Sequence, residues 1–193
     1  MSTLKASLIN ARDSLNHLLD DQRSIDAINK IIDLFVSTFQ NNNKILVCGN
    51  GGSCCDAIHF AEEFTGRFNK NRRALPVIAL ADSGHITCVG NDFGFDAIFE
   101  RGVEAYGQAN DVFLALTTSG NSQNIINACN KAKQQKMHTI IFNGRSGGKL
   151  RDVPDIELII PGESSDRIQE VHMVVLHSII EQVERLLFPE LYS

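Results

Sequence analysis

Lys44-Ile45-Leu46-Val47-Cys48-Gly49-Asn50-Gly51-Gly52-Ser53 decides the fold. A short apolar run enters a glycine-rich turn, and the residues after it, from Ser53 to about Phe64, carry helical spacing. Strand, turn and helix in that order open a parallel α/β unit. The order recurs downstream. Apolar runs at residues 75–80 (LPVIAL), 111–116 (DVFLAL), 138–142 (HTIIF) and 156–160 (IELII) alternate with helical periods at about Phe95 to Tyr106, Asn121 to Lys133 and Ser165 to Leu187. Five such strands predict an α/β fold with a mainly parallel sheet covered on both faces. Gly66 and Gly107 are placed to end the first two helices, and the four prolines fall at segment edges.

Upstream of the deciding stretch, Leu4, Leu8, Ala11, Leu15 and Leu18, then Ile25, Ile28, Ile32, Phe35 and Phe39, recur at three and four and predict two amphipathic helices. Each stripe needs a surface to cover it, either the α/β unit or another copy of the chain. The 193 residues suit one domain, read as a helical pair over 1–42 and an α/β core over 43–193. Hydrophobic residues at 43% and charged residues at 21% are the mix of a soluble globular chain. No apolar run approaches the roughly 20 residues of a membrane span, and the N-terminus lacks the order of a secretory signal. Five cysteines without a repeated C-x-x-C spacing read as reduced thiols in a cytoplasmic protein. A net charge of -5 with no basic cluster excludes a duplex nucleic-acid footprint.

Two strand-to-helix loops can hold an anion. In the first, Asn50, Gly51, Gly52 and Ser53 permit close backbone approach where a helix begins, and the pattern is neither a Walker loop nor a dinucleotide fingerprint. In the second, Thr117, Thr118, Ser119 and Ser122 offer four hydroxyls within six positions, enough to replace part of a phosphate's water shell. Tight turns and N-capping explain the same residues structurally. In a parallel sheet both loops open onto the carboxyl edge of the strands, where ligands bind.

His59 and Glu63 are four apart on the helix after the first loop and project from one face. The last helix carries Gln169, Glu170, His172 and His177 beside a core stripe of Ile168, Val171, Val175 and Ile179. Gln169 and His177 differ by about 80° and about 12 Å of rise, so one ion shared between them within a single helix is a stretch. A buried structural histidine is the plainer reading of His177. Asn91 and Asp92, in the loop GNDFGF, either contact a polar ligand or form an Asx turn; Asp82 and His85 carry no assignment.

At these residues the chain resembles the bacterial phosphoheptose isomerases of the sugar-isomerase (SIS) superfamily. The matching stretches are CGNGGSCCDAIHFAEEFTGRF (48–68), HITCVGNDFGFDAIF (85–99), DVFLALTTSGNSQNI (111–125) and DRIQEVHMVVLH (166–177). Cys54 and Thr117 depart from the residues usual in relatives, and LLFPE near the C-terminus is similar to a non-catalytic branch that associates with a replication initiator. The resemblance implies a flavodoxin-like sheet, an N-terminal helical pair that packs subunits into a homotetramer, and active sites at subunit interfaces. It implies zinc, one ion per subunit, at His59, Glu63, Gln169 and His177, with Glu63 and His177 catalytic. Substrate contacts map onto Asn50, Gly51, Gly52, Ser53, Asn91, Asp92, Thr117, Thr118, Ser119, Ser122 and Gln169, with Arg67 and Asp166 as pocket neighbours.

The implied reaction converts D-sedoheptulose 7-phosphate to D-glycero-D-manno-heptose 7-phosphate by enediol proton transfer, the first step toward ADP- or GDP-heptose precursors. Such a reaction needs a base at carbon, assigned to Glu63, and a proton shuttle at oxygen, assigned to His177. Two other readings stand beside it: an aldose–ketose isomerase for a different phosphorylated sugar, and a non-catalytic SIS module that binds a replication initiator or senses a sugar phosphate.

Overall fold

The computed structural model describes residues 3–192. The chain opens with α1 (Thr3–Asp20) and α2 (Gln22–Gln40), then alternates β1 (Ile45–Gly49), α3 (Gly52–Thr65), β2 (Val77–Ala79), α4 (Ser83–Asp92), α5 (Ile98–Tyr106), β3 (Val112–Leu116), α6 (Gln123–Gln134), β4 (His138–Gly144), β5 (Ile156–Ile160) and α7 (Ser165–Leu187). The five strands pair in the order β2-β1-β3-β4-β5, parallel throughout. The parallel pairing is what the alternation predicts, and the order is the flavodoxin-like one that the resemblance implies.

Period-2 alternation divides the core between the two faces of the sheet. Ile45 and Val47 point to a layer formed with Phe35, Phe39, Phe60, Phe64, Val175 and Ile179 from α2, α3 and α7. Leu46 and Cys48 point to the opposite layer, with Val89, Phe99, Val103, Ile125 and Ala128 from α4, α5 and α6. With both faces covered, β1 and β3 are buried at every position.

Where the structure departs from the sequence reading, the causes are local. β2 covers only Val77–Ala79, because Pro76 has no N–H and joins the ladder through its carbonyl alone, which accepts from Ile45 N at 3.0 Å. The helix expected over Phe95 to Tyr106 begins as a 3-10 turn over Phe95–Ala97. Gly66 and Gly107 do end their helices, but at φ -86° and -74°, outside the left-handed region expected of glycine caps. At Gly107 a Cβ would come within 2.6 Å of Met137 Sδ, so space and not φ requires the glycine.

Helix α4 has no counterpart in the sequence reading. It is capped by Asp82, whose Oδ1 accepts from His85 N at 2.7 Å. The His85 ring bonds to Ile98 O at 2.9 Å. Both unassigned residues are thus structural. The amphipathic stripe of α2 is covered, with Ile31, Ile32, Phe35 and Phe39 buried. That of α1 is covered only at its end: Leu18 is buried, while Leu4 and Leu8 are 71% and 62% exposed. Among the described residues, no helix is long and apolar enough to cross a membrane.

Candidate functional site

Three helix N-termini meet at the carboxyl edge of the sheet. Gly51 (φ 57°) turns β1 into α3, while Ser122 precedes α6 and Ser164 precedes α7, none with a side-chain cap. Unpaired helix-start amides and dipoles of one sign favour an anion there. Asn50, Gly51, Gly52, Ser53, Thr117, Thr118, Ser119, Ser122, Ser165 and Gln169 line a cavity of about 320 Å³ between them. Both predicted loops therefore open onto one space.

Its walls are tied to one another. Asn50 and Asn124 exchange reciprocal amide hydrogen bonds of 2.9 Å, locking the first loop to the start of α6. Asn50 thus spends its side chain on Asn124. Thr117 Oγ1 accepts from Gly120 N at 3.2 Å, and Ser119 Oγ accepts from Asn121 N at 3.3 Å. Gly120 (φ +64°) admits no side chain, since a Cβ would lie 1.8 Å from the Gly147 carbonyl oxygen. The Gln169 amide crosses Gly52, where a Cβ would meet Oε1 at 2.6 Å, and its Nε2 donates to Ser53 Oγ at 3.2 Å. Gly52 is what lets α7 approach the first loop.

The sequence reading missed two members of this region. Ser165 lines the cavity with its Oγ 3.0 Å from Thr118 Oγ1; its only signal was a serine pair opening the last helix. Asn124 is buried, and its only signal was an amide beside the core residue Ile125.

A second group lies farther along α3 and α7. His59 Nε2 is 3.2 Å and His177 Nε2 3.5 Å from Glu63 Oε1. One donor atom from each of the three residues falls within a span of 4.8 Å. The His59 ring meets that of His177 edge-on at 5.1 Å, and the Phe68 ring stacks on His177 at 6.0 Å. The Glu63 side chain is 11% exposed, and its Oε2 is buried without a hydrogen-bond partner. Burial raises its carboxyl above the usual carboxylate range, with the two histidines opposing the shift. A carboxylate with one oxygen facing two imidazoles and the other unpartnered suits a cation.

The sequence had placed a buried histidine at His177, but its side chain is 40% exposed. The buried one is His172, held neutral by desolvation with its pKa lowered to about 4. Gln169 stays at the loop end of α7, about 12 Å of helix rise short of His177. None of His59, Glu63 and His177 lines the cavity between the loops.

Other predicted residues are spread wider. Asn91 and Asp92 form the exposed last turn of α4, not a loop, and bond to each other at 2.8 Å. Arg67 is exposed on the segment after α3. Asp166 borders a separate opening with Asp56, Gln169, Glu170 and Met173. Hydrogen bonds from Ser164 and Arg167 hold the Asp166 carboxyl down at about 2.

A family model described as the SIS domain matches residues 9–144. The phosphoheptose isomerase of Fusobacterium nucleatum is 52% identical over 92% of this chain and 92% of its own length. The chain belongs to the SIS domain family, among the phosphoheptose isomerases. The Proteus mirabilis phosphoheptose isomerase is 46% identical over 94% of this SIS protein and 95% of its own chain. The solved structure of a phosphoheptose isomerase from Francisella tularensis superposes with a TM-score of 0.90 at 34% identity, covering 96% of this chain and all of that one. The family model ends before α7. These relatives extend the likeness across the helix that carries Gln169 and His177.

Proposed function

We propose that this SIS protein is a phosphoheptose isomerase that interconverts D-sedoheptulose 7-phosphate and D-glycero-D-manno-heptose 7-phosphate through an enediol, in the cytoplasm, at the start of nucleotide-activated heptose synthesis. One observation carries the reading: a desolvated carboxylate, Glu63, faces the imidazole of His177 across two helices. A non-catalytic SIS module has no need of that pair.

Glu63 removes the proton from the carbon next to the carbonyl and returns it to the neighbouring carbon. His177 moves a proton between the two oxygens. The raised carboxyl pKa makes Glu63 a stronger base than an exposed glutamate. The phosphate is held by Thr118, Ser119, Ser122 and Ser165 with the helix-start amides of α6 and α7, and its binding energy orients the reacting carbons.

His59, Glu63 and His177 would hold a zinc ion. Two imidazoles and a carboxylate are donors that zinc takes, and one donor atom from each of the three residues lies within 4.8 Å of the others. A bound ion supplies Lewis-acid polarisation of the substrate carbonyl. Glu63 Oε2, unpartnered in the protein, remains for the proton.

The cavity and the acid/base pair belong together only in an assembly. Along α3, Glu63 lies about 16 Å of rise beyond Gly52, too far for a sugar held on the loops of the same chain. We infer a homotetramer in which one subunit's Glu63 and His177 face the phosphate cavity of another, and in which Gln169 reaches the metal group of a neighbour. Two features support this: the bare Leu4, Leu8 and Leu19 of α1, and an apolar groove of about 450 Å³ between α1, α2 and α7. Asn91, Asp92, Arg67 and Asp166 would enter the composite site by the same route.

Purified protein incubated with sedoheptulose 7-phosphate and followed by NMR tests the reading, with Glu63→Gln as control. An aldose product that the control does not make is expected. No turnover of any heptulose phosphate by the wild type would end it.

A further inference from the structure

Behind the acid/base pair lies a buried ion pair that the chemistry above does not use. The side chains of Arg72 and Glu184 are 0% and 1% exposed, with Arg72 Nε donating to Glu184 Oε2 at 3.2 Å. Every polar edge of the pair is taken. Arg72 Nη1 donates to Phe64 O and Nη2 to Glu63 O, both at 2.6 Å, so the guanidinium caps the terminal carbonyls of α3. Glu184 Oε1 accepts from Lys70 N at 3.0 Å and from the Tyr192 hydroxyl at 2.5 Å.

Stability alone is a weak reason to bury such a pair, because desolvation offsets most of the attraction. Its placement gives a better one. Glu184 follows His177 by seven residues, so the two side chains leave α7 on nearly the same line. Arg72 grips the backbone carbonyl of Glu63 itself. Residues 66–72 between these anchors carry Phe68, whose ring lies at an interplanar angle of 24° to His177. One carboxylate on α7 therefore fixes the end of α3 that bears the base and the segment that backs the imidazole.

We propose that Arg72 and Glu184 are positioning residues, a clamp that holds Glu63 and His177 in register through the Glu63 carbonyl and the stacked Phe68. This rests on the reading of Glu63 and His177 as the acid/base pair. The clamp touches neither substrate nor metal, so its loss displaces the imidazole and slows the proton transfers without emptying the phosphate cavity. A displacement near 1 Å is enough to cost about 10- to 100-fold in rate.

The test is Glu184→Gln in the full-length protein, compared with Asp111→Asn. The latter weakens an ion pair whose carboxylate is equally buried, Lys44 with Asp111, and whose hydrogen bonds involve neither α3 nor α7. Steady-state rates, thermal melting and the ring resonances of His177 are measured for each. In Glu184→Gln a kcat loss of at least about tenfold, a KM within about threefold of wild type and shifted His177 resonances are expected. Asp111→Asn lowers Tm and leaves kcat and those resonances in place. A Glu184→Gln protein that melts earlier but keeps its kcat and its His177 resonances would show a merely structural pair and overturn the proposal.

Should that variant not fold, Tyr192→Phe removes a single bond to the same carboxylate near the chain end; a smaller shift of the same resonances supports the clamp, and none overturns it. A wild-type protein inert toward heptulose phosphates would remove the isomerase reading. The His177 resonances would still decide the clamp.

Discussion

Glu63 and His177 meet across α3 and α7 with 3.5 Å between Oε1 and Nε2, although each helix begins at the carboxyl edge of the sheet. The contact lies well down both helices from that edge. The loop cavity and the Glu63–His177 pair are therefore built on the same two helices but at different heights, and the proposed reaction needs a second subunit to join them.

Subunit mixing tests this arrangement. Glu63→Gln and Ser119→Ala chains, each nearly inactive alone, should regain activity when unfolded and refolded together, because some composite sites then combine an intact acid/base pair with an intact cavity. Activity that stays at the level of the separate variants would place both halves in one chain.

Burial raises the Glu63 carboxyl, so in metal-free protein the folded state binds this proton more tightly than the unfolded state. Stability then falls as pH rises from the ordinary glutamate value through the raised one. At neutral pH the ionised, partly unpartnered carboxylate is a cost. Glu63→Gln is expected to melt higher than the wild type near pH 7 after chelation, while losing about 10²-fold or more in kcat. A lower melting temperature would contradict the burial argument.

His172 has the opposite sign. Its folded pKa of about 4 lies below the ordinary 6.5, so the stability of the neutral form is complete above 6.5 and is lost as pH falls toward 4. Across that window the loss amounts to roughly 3 kcal/mol, at about 1.4 kcal/mol per unit. Melting curves from pH 7 to 4 should show a shallower acid slope in His172→Gln than in wild type.

Two glycine variants separate site from scaffold. In Gly52→Ala the new methyl meets only the movable end of Gln169, so Tm should change little while kcat/KM falls about tenfold as Gln169 leaves Ser53. In Gly120→Ala it meets the Gly147 carbonyl at a φ of +64°, and a loss of about 2 kcal/mol or more in denaturant melts is expected.

Metal analysis of purified protein should find one zinc ion per subunit that His59→Ala loses. Retention of the full ion content by that variant would remove His59 from the ligand set.

The strands were legible in sequence because the central ones are buried on both faces, so every position of ILVCG and VFLAL is apolar or glycine and the run announces itself. The strand order came only with the family resemblance, whereas the two strand-end loops were marked by their glycine and hydroxyl residues. Helix α4 was not legible. Ile86 and Val89 are too few for a stripe, and its start depends on Asp82, which could equally have been a loop aspartate.

Sequence placed Glu63 beside His59 because helical spacing is a local rule. No local rule could bring His177 to them, expose it while burying His172, or bind Glu184 to Arg72. Those outcomes depend on where α7 crosses α3, which is set by core packing of side chains from every layer of the fold. Only the folded chain shows that the loop cavity and the Glu63–His177 pair stand apart, because that distance is measured along two helices whose relative height the sequence does not encode locally.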